Sequence, residues 1–232
     1  MSLRERLTEK VGKGHLSYSS IKYALGDMRL WEMKMRGEIK YTSDALVFGT
    51  LYDMLLFERE KAMNDYIVLN EGNVLERCQS KTLEAKNPKL TKDYKDVKSA
   101  MVSEYEAKGQ TLVSSEDWKK EIDGVPVKGF LDCLGDGFIT DSKSARSVDK
   151  FRYDVNSWSY DIQAYIYTKV FNIKDYYWVV QEKTFPYYPA LVKCSDETLF
   201  RGEMKFHQAV ENIERWLKNG TQTQTHYAEF TV

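Results

Sequence analysis

Val127-Lys-Gly-Phe-Leu-Asp-Cys-Leu-Gly-Asp-Gly-Phe-Ile-Thr-Asp-Ser-Lys-Ser144 reads as two strands joined by a tight turn. Phe130, Leu131, Cys133 and Leu134 lead in, Asp136-Gly137 turns, and Phe138, Ile139 and Thr140 lead out. Asp-Gly between short apolar runs is a strong hairpin signal, because a two-residue turn needs left-handed backbone angles that these residues tolerate. The turn sets the register: Gly135 opposite Phe138, Leu134 opposite Ile139, Cys133 opposite Thr140 and Asp132 opposite Asp141. Directly opposed side chains stand about 5 Å apart on one face. Two carboxylates held that way repel each other unless they share a cation. Lys143, two residues beyond Asp141, joins the same face. The hairpin therefore offers two acids and an amine from a rigid strand pair, as a divalent-metal hydrolytic centre requires.

The acid-x-Lys triplet carries no weight by itself. It recurs at Glu32/Lys34, Glu106/Lys108 and elsewhere, in charged helical segments that read as solvated faces. Asp141-Ser-Lys143 differs because it ends an apolar strand and has an acid set across from it by a turn.

The chain has 232 residues and a formal net charge of −1. That length holds one sizeable core, here read as a single domain with a helical annex. The near-zero charge excludes non-specific electrostatic binding of nucleic acid by the whole surface, so a polyanion needs a local patch. Cys78, Cys133 and Cys194 are scattered without a C-x-x-C pair, which excludes a thiolate cluster or a disulfide framework and points to a reducing cytoplasm. The most apolar run, residues 45–57, is too short to span a bilayer and contains Asp53. The start, Met-Ser-Leu-Arg-Glu-Arg, lacks the apolar core of a signal peptide. No membrane association is expected.

Residues 1–15 read as a loose polar start. A helix capped by Ser17 or Ser19 follows over residues 16–25 and continues through Met28. A second helix is expected from a Ser43 or Asp44 cap to residue 60, with Leu46, Val47, Leu51, Met54 and Leu55 on its apolar face. Residues 66–69 suggest a short strand, 71–90 are turn-rich, and 91–108 form a charged helix. From Trp118 the period changes to alternation, giving a three-stranded meander over 118–122, 126–134 and 138–142. Residues 155–171 return to a helical pattern, 175–182 are an apolar strand bounded by Pro186 and Pro189, and a last helix runs from a Ser195 or Asp196 cap to residue 217. The sum is an α/β chain with a mixed sheet: a mainly helical part at 16–117, the meander, helix and strand at 118–186, and a C-terminal helix and tail at 187–232.

Several ordered pieces together resemble the PD-(D/E)xK nuclease superfamily, in particular its RecB-like and RecE-like, exonuclease VIII-type branch found in phages. Gly129-Phe-Leu-Asp132 looks like the G-x-x-D strand, and Asp141-Ser-Lys143-Ser144 looks like D-x-K-[TS]. Gln163-Ala-Tyr-Ile-Tyr167 is similar to the Q-x-x-x-Y helix motif of the RecB-like branch. Leu16-Ser-Tyr-Ser-Ser-Ile and Phe48-Gly-Thr-Leu-Tyr-Asp53 resemble the opening helix and the G-T-x-x-H helix. The resemblance covers residues 16–186 and implies a restriction-endonuclease-like core, a central mixed β-sheet flanked by helices with an N-terminal helical segment. One position departs: Asp53 stands where the family carries a metal-binding His, and a carboxylate there is still a hard oxygen ligand.

The activity implied is Mg²⁺- or Mn²⁺-dependent hydrolysis of phosphodiester bonds at linear DNA ends, single- or double-stranded, in phage recombination or DNA processing. Asp53, Asp132, Asp141 and the Ser142 carbonyl would hold the metal, and Lys143 would stabilise charge developing on the phosphate. Gln163 and Tyr167, four apart on one helix face, would touch the substrate strand or support the metal site. Lys128, Ser144 and Arg146, with Lys150 and Arg152 beyond, would grip phosphates, and Trp158, Tyr187 and Tyr188 could stack on unpaired bases. Glu121 has no assigned role, and His15, His207 and His226 have no metal-ligand spacing. The exonuclease VIII type acts as a ring-shaped homo-oligomer, with a single-strand annealing protein as the expected partner. The mitochondrial genome maintenance type shares these motifs but prefers single strands. A catalytically inactive DNA-binding module is the alternative of another class.

Overall fold

The computed structural model describes residues 1–39, 117–182 and 188–220. The elements expected between residues 43 and 108, the C-terminal tail, Asp53, Cys78, Tyr187 and His226 lie outside the described residues.

Strands β1 (Asp117–Ile122) and β2 (Val125–Phe130) pair antiparallel around Asp123-Gly124. Both turn residues are left-handed, with φ of 50° and 77°, the requirement of a two-residue hairpin with the right twist. The expected three-stranded meander does not continue from there. β1 and β2 form a sheet of their own, while β3 (Cys133–Leu134), β4 (Phe138–Ala145), β5 (Asp175–Glu182) and β6 (Pro189–Lys193) form a second sheet in that order. The chain leaves the ladder at Leu131 and Asp132 because side chains supply the hydrogen bonds there. The Phe130 carbonyl accepts from the Tyr167 hydroxyl at 2.6 Å, and the Asp132 carboxylate accepts the Ser142 N–H at 2.9 Å.

Across β3 and β4 the register is the one the turn dictates, with Leu134 opposite Ile139 and Cys133 opposite Thr140. The Gly135 N–H closes the loop onto the Phe138 carbonyl at 2.9 Å. A Cβ on Gly135 would lie 1.9 Å from the Phe138 ring, so that ring folds over the turn only because the position is glycine. β4 runs parallel to β5, which places Asp141 beside Trp178 and Lys143 beside Val180. A parallel pair needs a crossover connection, supplied by α4 (Phe151–Ser157) and α5 (Tyr160–Phe171). Sequence periodicity merged these into one helix; Ser159, left-handed at φ 59°, breaks them apart. β6 was not expected, since Pro189 reads as a boundary. It instead opens a strand at the edge of the described sheet, where proline is tolerated.

The chain start is ordered where a loose segment was expected. Ser2 and Glu5 form a capping box, and Leu3, Leu7 and Val11 bury one stripe of α1 (Leu3–Val11). Ser17 caps α2 (Tyr18–Tyr23), which stops at Ala24; Asp27 then caps a separate α3 (Met28–Arg36), so no single helix runs through Met28. Helix α6 (Asp196–Asn219), capped by Ser195, lies against α5. At their crossing a Cβ on Gly202 would fall 2.1 Å from the Asp161 carbonyl oxygen, so the two backbones touch. Fully buried Asp161 accepts from Arg201 at 2.6 Å and Lys205 at 2.8 Å, tying the helices together. Between helices and sheet, Trp178 meets Phe151 edge-on at 5.9 Å and Tyr176 tilts against Tyr167 at 6.4 Å. The described part is thus a mixed sheet with helices packed on it, the α/β arrangement expected.

Candidate active site

Asp141 lies in the middle of β4 and is 1 % exposed. A buried carboxylate needs partners for its charge, and among the described residues two side chains provide them. The Lys143 ammonium forms an ion pair with one oxygen, and the Gln163 side-chain amide donates to the other at 2.7 Å. Lys143 reaches its partner because it stands two residues on, on the same face of the strand. It also donates to the Ser142 carbonyl at 3.2 Å and lies 5.0 Å from the Tyr160 ring centroid. Burial opposes the Lys143 charge, but the Asp141 and Asp132 carboxylates outweigh it and raise the ammonium pKa well above its ordinary value. Lys143 is therefore a fixed, permanent cation.

Asp132 is half-buried at the break between β2 and β3, bound to the Ser142 N–H. Its carboxylate reaches across to β4 at Ser142, the neighbour of Asp141, and the β3–β4 pairing ends at Cys133 and Thr140 without including Asp132 and Asp141.

Gln163 and Tyr167 face the sheet from α5, both buried. The Gln163 amide lies 3.4 Å from the Tyr167 hydroxyl, which donates to the Phe130 carbonyl. The pair thus links Asp141 on β4 to the end of β2, and both groups hold the site rather than face solvent. Burial, followed by the Asp141 charge, pushes the Tyr167 phenol well up, so it stays a neutral donor. Gly129 belongs to the same arrangement: a Cβ there would lie 2.7 Å from the Trp118 ring and 3.2 Å from the Tyr167 hydroxyl. The G-x-x-D glycine is required by the edge-on packing of Trp118 and Tyr167, whose centroids are 5.4 Å apart.

The oxygens of this segment are the Asp132 and Asp141 carboxylates, the Ser142 carbonyl and the Gln163 Oε1, which is buried and has no hydrogen-bond partner among the described residues. All are hard oxygens, and an orphaned buried acceptor beside two acids suits a small divalent cation such as Mg²⁺ or Mn²⁺. Among the described residues no third acid, His or Cys joins them.

The expected phosphate-gripping residues lie on β2, on β4 and in the segment from β4 into α4. Lys128 is exposed on β2, Ser144 half-buried on β4, and Arg146 exposed just beyond it. Arg152 bonds to the Tyr153 hydroxyl at 2.9 Å, and Lys150 is exposed. Glu121 is exposed on β1, Tyr188 is exposed before β6, His15 is half-buried, and His207 packs against Phe206. Two residues escaped notice in the sequence: Tyr18 and Lys22. Their i, i+4 spacing on a capped helix was the available signal.

The family model for a PDDEXK-like domain of unknown function (DUF3799) matches residues 19–227. The chain belongs to this PDDEXK-like family. Membership agrees with the order in which Asp132, Asp141-x-Lys143 and Gln163 occur, and makes the chain a member of a nuclease-type fold. Among solved structures, an inferred exonuclease from Eubacterium rectale superposes over 95 % of this chain and 86 % of its own, with a TM-score of 0.64 at 18 % identity. An alkaline exonuclease from Laribacter hongkongensis aligns over 92 % and 94 %, with a TM-score of 0.46 at 11 % identity. A phage-related exonuclease from Haemophilus somnus aligns over 88 % and 96 %, with a TM-score of 0.39 at 14 % identity. The first of these shares the PDDEXK-like fold. No curated protein matches the chain. Among the described residues no helix is long and apolar enough to cross a membrane.

Proposed function

We propose that the chain is a metal-dependent DNA exonuclease that hydrolyses phosphodiester bonds at DNA ends. The observation that carries this reading is the meeting of Asp132, Asp141 and Lys143, with Gln163 fixing Asp141 from the helix behind. Asp132, Asp141 and the Ser142 carbonyl would hold Mg²⁺ or Mn²⁺, with Asp53 as the further ligand the family motif suggests. When bound, that ion supplies a water of lowered pKa and neutralises charge on the phosphate.

Lys143 contributes a positive charge already in place, so no side-chain rearrangement is needed as negative charge grows on the phosphate oxygens. Asp141 positions that ammonium as well as serving the metal, while Gln163 and Tyr167 keep Asp141 and the end of β2 in register. Lys128, Ser144 and Arg146 grip neighbouring phosphates. A cytoplasmic phage recombination role, a homo-oligomeric ring and a single-strand annealing partner belong to the same reading, on the strength of the motifs alone.

End-labelled single- and double-stranded DNA, linear and circular, incubated with Mg²⁺, Mn²⁺ or EDTA tests it. Metal-dependent loss of linear but not circular DNA is the expected result. Cutting of circles would replace the exonuclease reading with an endonuclease, and binding without loss would leave a DNA-binding module.

A further inference from the structure

We propose that Lys22 and Trp158 form a nucleotide-binding step beside the hydrolytic centre, taking one unpaired base and its phosphate from a single DNA strand. The proposal rests on the nuclease reading above and adds the residues that meet the strand.

The Lys22 ammonium lies 5.5 Å from the Tyr18 ring, 5.5 Å from the Tyr23 ring and 5.8 Å from the Trp158 ring. Among the described residues no carboxylate forms an ion pair with it. The same kind of contact elsewhere is complete: Lys193 lies 5.6 Å from the Tyr177 ring, but Asp175 pairs with it at 2.8 Å. Lys22 also sits among like charges. Lys34 lies 3.7 Å from the same Tyr23 ring and Lys143 5.0 Å from Tyr160. Burial, together with Lys34 and Lys143, lowers the Lys22 pKa. An anion placed there would relieve that repulsion.

Trp158 is 55 % exposed, an unusual position for the largest apolar side chain. Its backbone is nevertheless fixed. The Tyr18 hydroxyl donates to its carbonyl at 2.6 Å, and left-handed Ser159 follows it in the turn between α4 and α5. Two residues later Tyr160 carries the ring beneath Lys143, so the step adjoins the Asp141–Lys143 pair. An exposed indole on a fixed backbone, beside an ammonium with no ion pair among the described residues, suits a nucleotide, whose base stacks while its phosphate binds the cation. Bases inside a duplex already stack on each other, so an unpaired base, with its faces free, is the partner that suits the step.

The test is fluorescence anisotropy of the full chain with a short labelled single strand in EDTA, over a salt series, alongside cleavage in Mg²⁺. Trp158→Ala should weaken binding about tenfold, the size of one lost base–aromatic stack, while Trp158→Phe stays within about twofold of the parent. Lys22→Gln should lower the slope of log affinity against log salt by about 0.7, one single-strand phosphate, and Lys193→Gln should leave it unchanged. Circular dichroism checks that each variant folds. If the parent binds and cleaves DNA while Trp158→Ala and Lys22→Gln bind single strands like the parent, the step is wrong and the nuclease reading stands. If the parent neither binds nor cleaves DNA, the nuclease reading fails and the step fails with it.

Discussion

Gln163 on α5 donates to Asp141 on β4 at 2.7 Å, so a helix residue fixes the orientation of a strand carboxylate. With Gln163→Ala, Asp141 keeps Lys143 but loses the donor that holds its other oxygen. Removing a partner that orients a metal-binding carboxylate typically costs about 10–100-fold in metal affinity or activity. The expected result is a rise in the Mg²⁺ concentration for half-maximal cleavage and a lower rate, beyond the fall in Tm of roughly 2–12 °C that an unsatisfied buried acceptor, about 1–3 kcal/mol, brings. An unchanged metal titration would make Gln163 a packing residue only.

Lys143 carries a charge that its two acidic neighbours keep in place. Lys143→Met retains the stem and removes the charge, so turnover should fall by roughly 10²–10³-fold, the range seen when a group stabilising developing charge is removed. Affinity for a single strand in EDTA should stay within a few-fold of the parent. A variant that cleaves normally would take Lys143 out of the mechanism.

The β3–β4 register and the strand at 175–182 were legible because each depends on local signals: an Asp-Gly turn in one case, an apolar run in the other. The separation into two sheets was not, because it depends on Tyr167 and Asp132 taking backbone partners that are remote in sequence. Helix α1 escaped because Arg4, Glu5, Arg6, Glu9 and Lys10 mask a three-residue apolar stripe in its composition. The break at Ser159 left no trace, since left-handed serine has no sequence signature. The Lys22 and Trp158 pairing joins residues far apart in the chain, which spacing along one element cannot reveal.

Gly129 makes room for the contact between Trp118 and Tyr167. Its backbone is not left-handed, so Gly129→Ala tests space alone. Overpacking of this kind costs about 1–3 kcal/mol, a fall in Tm of roughly 2–12 °C for a chain of this size. Because Tyr167 would shift with it, cleavage should fall more than stability alone explains. Gly202→Ala should be worse, since its Cβ would meet the Asp161 backbone rather than a side chain that can move. Thermal melts of both variants beside the parent check the order, and a Gly129→Ala protein with parental Tm and activity would reject the packing argument.

Alkaline pH should weaken the fold through its buried thiols. Burial pushes the Cys194 thiol up to about 12 from an ordinary 9.0, with Arg201 pulling the other way, and burial raises Cys133 as well. A raised pKa means the folded state keeps a proton that the unfolded state releases. The stabilisation is therefore complete below pH 9 and is lost as pH rises toward 12, by at most about 1.4 kcal/mol per pH unit for each thiol. Buried Tyr165 and Tyr167 act in the same direction but start from an ordinary 10.0, which leaves pH 9 to 10 mainly to the thiols. Urea midpoints at pH 8, 9 and 10 for the parent and for Cys194→Ala separate the effects. The alanine variant should be less stable at pH 8, from lost packing, and the gap should narrow as pH rises. Parallel curves across that range would mean that Cys194 loses its proton equally readily in both states, and that its burial has no electrostatic consequence.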